Sequence, residues 1–150
     1  MPVTLQHVDQ AAWETDAQVR LDLARIYADA PDERLPLPAD DFIRDHLANG
    51  HWFSCARFND RLLGAVAVKH EQDAWWLSNL CVRKTTRRRG VGSRLLALIS
   101  ETAHAGGGRL YADSSQLPVA DQMLLARLGY RLTKGGDYFE LDLSSRRDTP

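Results

Sequence analysis

The chain has 150 residues, 44% of them hydrophobic, and a formal net charge of −1. That is the length of one ordinary domain, with enough apolar residues for a packed core. The balanced charge excludes a global field that would draw nucleic acid or a membrane surface, and no apolar run approaches the ~20 residues that cross a bilayer.

In chain order, Val3 to Val8 reads as a strand, and Met1 to Leu5 as its start rather than a leader. Asp9 or Gln10 opens a helix to about Ala30, with Trp13, Ala17, Leu21, Ala24 and Tyr27 on one face and Val19, Leu23 and Ile26 widening it. Thr15 or Asp16 can cap a second segment inside it. A Pro-rich loop, Pro31 to Pro38, leads to a helix from Ala39 to Ala48 that ends on Asn49-Gly50. Trp52 to Phe58 and Arg61 to His70 form a hairpin about Asn59-Asp60, and Trp75 to Val82 follows a second turn at Glu71 to Asp73. Trp75-Trp76 places one indole on each face of its strand.

After the Arg-rich stretch, a helix from Val91 to about His104 is stopped by Gly106-Gly107-Gly108. Arg109 to Asp113 is a strand, Ser114 to Pro118 a loop, and a helix runs from Pro118 to Gly129. Tyr130 to Thr133 and Tyr138 to Leu143 pair about the turn Lys134 to Asp137. The order β-α-α-β-β-β-α-β-α-β-β predicts an α/β fold with a mixed central sheet, one domain over residues 1–150, and a frayed tail over 144–150. Cys55 and Cys81 lie in apolar runs without ligand spacing, so no metal site is expected, and their isolation suits a reducing cytoplasm.

The chemistry concentrates in Leu80-Cys81-Val82-Arg83 followed by Arg87-Arg88-Arg89-Gly90-Val91-Gly92-Ser93. A helix start carries unpaired N–H groups and a partial positive charge, and Gly90 and Gly92 let an anion approach them closely. The arginines add charge-assisted hydrogen bonds. A Gly-x-Gly before a helix also fits a solvated helix start. Strand, arginine, glycines and helix in this order point further, to a diphosphate seat. A nucleic-acid role would rest on the three arginines alone, without interleaved aromatics.

The [Q/R]-x-x-G-x-[G/A] pattern, with the element order, resembles the acetyl-CoA signature of the GNAT N-acetyltransferases. The resemblance implies a GNAT (acyl-CoA N-acyltransferase) fold binding acetyl-CoA or CoA. Backbone N–H groups from Arg88 to Ser93 would hold the pyrophosphate. The strand Leu80, Cys81, Val82 would line the pantetheine arm, and the fourth and fifth strands would splay to admit it. Ala56 to Leu63 (ARFNDRLL) together with Thr86 to Gly92 (TRRRGVG) more closely resembles the PanZ/PanM maturation factors, the acetyl-CoA sensors of bacterial pantothenate synthesis. That likeness implies binding of the aspartate 1-decarboxylase precursor, promotion of its self-cleavage to the pyruvoyl form, and restraint of the mature enzyme. It assigns Arg57 and Asn59 to the partner; read locally, they are a solvated strand end and a hairpin turn.

Acetyl transfer needs an acid for the departing thiolate. Many GNAT enzymes place a Tyr four residues before the Gly that ends the last helix; here that residue is Leu125. No catalytic residue is therefore assigned. Tyr111 reads as a packed strand residue, Ser114 and Ser115 as loop residues, Asp121 as a first-turn carboxylate, and Glu71 and Asp73 as a solvated turn. The competing expectation is a GNAT enzyme acetylating a small-molecule or protein amine, which a thiol-release assay over an amine panel distinguishes from a regulatory binding module.

Overall fold

The structure, a computed structural model, describes residues 3–30, 35–71, 74–87, 89–106, 109–113, 119–133 and 135–142. Arg88, Asp73, Ser114, Ser115, Pro118, the first part of the Pro-rich loop, Lys134 and the tail lie outside them, as does the side chain of Asp121. The elements are β1 (Thr4–Val8), α1 (Gln10–Thr15), α2 (Ala17–Ala28), α3 (Ala39–Ala48), β2 (Trp52–Phe58), β3 (Arg61–Glu71) and β4 (Ala74–Val82). After a 3-10 turn (Lys84–Thr86) come α4 (Val91–Gly106), β5 (Arg109–Asp113), α5 (Val119–Arg127), β6 (Arg131–Leu132) and β7 (Tyr138–Asp142).

The strands make one seven-stranded sheet in the order β1-β2-β3-β4-β5-β7-β6. Among the described residues only β4 and β5 pair in parallel, and the other neighbouring pairs are antiparallel. One core lies on the α4 and α5 side, with Leu95, Ile99, Leu110 and Leu125 buried against the sheet. The other lies beneath α2 and α3, around Leu23, Ile26, Ile43 and Phe53. Strand alternation separates the two indoles: Trp75 packs on the first core and meets Trp52 edge-on at 5.6 Å, while Trp76 stacks on Tyr111 at 4.5 Å.

The long first helix is in fact two. Asp16 leaves the helical conformation and its carboxylate accepts the Gln18 and Val19 N–H groups, capping α2. Arg20 crosses back to the Trp13 and Glu14 carbonyls at 3.0 and 2.7 Å, satisfying the end of α1. The buried face also differs from the sequence expectation. Leu21 is 45% exposed, whereas Val19, Asp22, Leu23, Ile26 and Tyr27 are buried.

Asp22 is the unexpected member of that face. Its carboxylate takes Arg61 Nε and Nη2 at 3.1 and 2.9 Å, the Leu62 N–H at 3.0 Å and Gln18 Nε2 at 2.8 Å. Burial raises its pKa, but the Arg61, Leu62 and Gln18 hydrogen bonds outweigh it, leaving the group below its usual value. The pair locks α2 onto the start of β3.

At the end of α3, Gly50 takes φ +81 and the His51 N–H reaches back to the His46 carbonyl, a left-handed cap as expected. His46 is buried and its Nε2 lies 2.7 Å from the Trp52 carbonyl, which holds that nitrogen protonated. Burial lowers its pKa from 6.5 to about 4, despite the opposing pull of the Trp52 hydrogen bond.

Two outcomes follow from these groups. Asp22→Asn should lower stability by about 2–3 kcal/mol in urea unfolding, because it leaves Arg61 without its counter-charge and turns a donor toward donors. For His46 the unfolded ring takes a proton that the folded ring refuses. Its contribution is therefore complete above about pH 6.5, falls as pH drops toward about 4, and totals ~3 kcal/mol. Unfolding curves at pH 7 and pH 4.5 should show a smaller loss for His46→Gln than for the parent.

Candidate functional site

The site begins where β4 and β5 part. Their parallel register runs from Ala74↔Arg109 to Leu77↔Ala112 and stops, while β4 continues to Val82 and β5 to Asp113. A bulge marks the same place on the other edge: Ala65 pairs with Cys81 but Ala67 with Ser78, so β4 carries one residue more than β3 there. Asn79 absorbs it with φ +52, and its carbonyl accepts the buried Tyr27 hydroxyl at 2.9 Å. Leu80, Leu96, Ala112, Leu125 and Ser78 line a small apolar cleft in the opening.

Beyond the bulge the Arg83 N–H donates to the Leu63 carbonyl at 2.9 Å, on the β3 side. By alternation the Val82 amide groups face the open edge. The Val82 carbonyl accepts Arg87 Nε at 3.1 Å. The Cys81 side chain points the other way, into the second core, with Sγ 3.1 Å from the Ile26 carbonyl.

The chain then turns into α4. Gly90 has φ +77 with nothing within 4 Å of an added Cβ, so the requirement there is conformational. Among the described residues, a Cβ at Gly92 would meet the Val82 and Leu80 side chains, at 3.6 and 4.0 Å. The Arg94 N–H closes the first helical bond on the Gly90 carbonyl, which leaves the Val91, Gly92 and Ser93 N–H groups ahead of it without helical acceptors. Val91 is buried and anchors the turn, while Arg89, Ser93 and Arg94 are exposed. Three α4 N–H groups and the helix dipole thus lie at the end of β4, with Arg89 and Arg94 exposed beside them in sequence.

Arg87 is exposed, yet its guanidinium is tied back to the fold. Besides Val82, its guanidinium donates to the Asp29 carbonyl at 3.0 Å, at the end of α2. The sequence could not show this, because the partner lies 58 residues away. Leu125 is 1% exposed and belongs to the cleft wall, so a leucine side chain occupies the expected acid position. Tyr111 packs between Trp76 and Tyr138, as a strand residue should.

Arg57 and Asn59 lie on the β2–β3 hairpin. Asn59 and Asp60 take φ +49 and +62, a two-residue turn with both centres left-handed, and Arg57 Nη2 pairs with the Asp60 carboxylate. The register Gly64↔Val82 puts this hairpin and the loop after β4 at one end of the sheet. Sequence reasoning placed Tyr27 on the apolar face but missed its bond to Asn79, and it missed Asp22, Asp29 and the Asn79 bulge. The one local signal was an Asp set among the apolar residues of α2.

Among the described residues no helix is long and apolar enough to cross a membrane, and no cluster of potential metal ligands occurs. Comparison with known proteins places this geometry. The family model of the acetyltransferase (GNAT) domain PanZ matches residues 3–107, which span β1 to α4 and include the hairpin and the glycine turn. The "PanD regulatory factor" of Escherichia coli K12 is 40% identical over 79 residues, 53% of this chain and 54% of that protein. The matched stretch thus spans about half the length of that relative. YhhK of E. coli, solved in solution bound to coenzyme A, superposes with a TM-score of 0.62 at 25% identity, covering 93% of this chain and 98% of that one. The aminoglycoside 6′-acetyltransferase type Ii shares the fold, with a TM-score of 0.70 at 16% identity over 93% of this chain and 97% of its own. With the parted strands, the glycine turn into α4 and a family match over more than half its length, the chain belongs to the PanZ family of GNAT-fold acetyltransferase domains.

Proposed function

We propose that the chain is a regulatory module that binds acetyl-CoA or CoA and acts on the aspartate 1-decarboxylase precursor. The pyrophosphate is held by backbone N–H groups from Arg88 to Ser93, with those of Val91, Gly92 and Ser93 supplied by the start of α4. The pantetheine arm lies along Leu80, Cys81 and Val82 through their backbone. The partner meets Arg57 and Asn59, its self-cleavage to the pyruvoyl form is promoted, and the mature enzyme is restrained when the coenzyme is bound.

The observation that carries this reading is the arrival of the β2–β3 hairpin and the anion-seating turn at one end of the sheet. A partner gripping the hairpin there is in reach of a surface whose composition depends on bound coenzyme. The name of the E. coli relative, a regulatory factor of PanD, supports the same assignment. Leu125 supports signalling over turnover: a hydrocarbon in the cleft wall gives no proton to a leaving thiolate.

Gly90→Asp and Gly92→Asp should each abolish coenzyme binding in titration calorimetry, since a carboxylate there repels the diphosphate; unchanged affinity in both would remove the site from this turn. Gly90→Asp also asks a side chain to hold φ +77, so its folding is checked by circular dichroism.

The partner reading is tested by co-purification with the decarboxylase precursor, with and without acetyl-CoA, and by the rate of precursor cleavage. Asn59→Ala should spare coenzyme binding and weaken association. Asn59→Gly is the cleaner variant, because glycine keeps the left-handed turn while deleting the amide. No association and no faster cleavage with the parent protein would overturn the assignment.

A further inference from the structure

The basic stretch before α4 is held from behind by the end of α2. Asp29 is the C-cap of that helix. Its carboxylate accepts the Lys84 N–H at 3.0 Å, 55 residues away, and Arg83 Nε lies 3.8 Å from the same carboxylate. Its carbonyl takes Arg87 Nη2, whose Nε is fixed on Val82. Lys84 opens the 3-10 turn that carries the chain from β4 toward Gly90. The end of one helix therefore holds the loop at three residues, Lys84 through its backbone N–H and Arg83 and Arg87 through their guanidiniums, and sets where the positive end of the next helix begins.

We propose that Asp29 is a positioning residue for the coenzyme's diphosphate: it touches no ligand, but orders the Lys84–Arg87 segment so that the α4 N-terminus is presented at the end of β4. This rests on the diphosphate reading above and extends it to a residue that no motif marks. A floppy loop would have to be ordered at the moment of binding, and that cost would appear only for ligands that use the turn.

The test compares CoA with pantetheine, which lacks the diphosphate, on the full chain by calorimetry and ligand-observed NMR. Asp29→Ala should weaken CoA about tenfold, the loss of one charge-assisted hydrogen bond, and leave pantetheine affinity unchanged. Asp29→Asn keeps an acceptor for Lys84 and should restore most of the CoA affinity. Lys84→Pro deletes the same bond from the donor side. Arg83 already has φ −55 and ψ 138, which a following proline tolerates. Its effect should not add to that of Asp29→Ala. A parallel loss of CoA and pantetheine, or full CoA affinity in Asp29→Ala, overturns the proposal. If Gly90→Asp binds CoA as the parent does, the diphosphate seat itself is wrong; if Gly90→Asp fails to bind while Asp29→Ala binds normally, only the positioning role falls.

Discussion

Two parallel strands cannot be joined by a hairpin, so the chain must leave β4, cross one face of the sheet as α4 and return as β5. That crossover puts the N-terminus of α4 at the carboxyl end of β4, where an open α/β sheet characteristically binds its ligand. The same strands stop pairing after Leu77 and Ala112, so the helix start faces a gap rather than a closed sheet. Backbone donors, an apolar cleft and the basic turn all meet there because of this one connection.

The surroundings make the gap a fixed feature. The bulge at Asn79 turns β4 away from the register it keeps with β3, and the Tyr27 hydroxyl ties that bulge to α2. Gly64 lets β3 come close to the turn: a Cβ there would lie 3.3 Å from the Cys81 carbonyl and 3.4 Å from Val91. Helix α2 is clamped twice, by Asp22 to the hairpin end of β3 and by Asp29 to the loop before α4. It thus braces both the hairpin carrying Arg57 and Asn59 and the turn carrying Gly90. The hairpin and the turn proposed above for partner and coenzyme share one brace, which is what the proposed coupling between them requires.

Sequence alone determined the strands, the α3 and α4 helices, the Asn59-Asp60 hairpin and the glycine turn, because each is written in local periodicity or in a residue that must take positive φ. The strand alternation and the left-handed φ values of Asn59, Asp60, Gly50 and Gly90 agree with that reading. Leu125 was identified by counting back from Gly129, which indeed ends α5 with φ +99. Tertiary structure decided what local patterns leave open. It split the first helix at Asp16, where Arg20 pays the cost of the free carbonyls. It turned Leu21 to solvent and Asp22 inward, because Arg61 and Leu62 await the carboxylate from 39 and 40 residues away. It also drew Arg87 back to Val82 and Asp29, leaving Arg89 and Arg94 exposed at the turn. The physical reason is the same in each case: a helix face, a bulge or a guanidinium is placed by the partner that satisfies it, and those partners are distant in sequence.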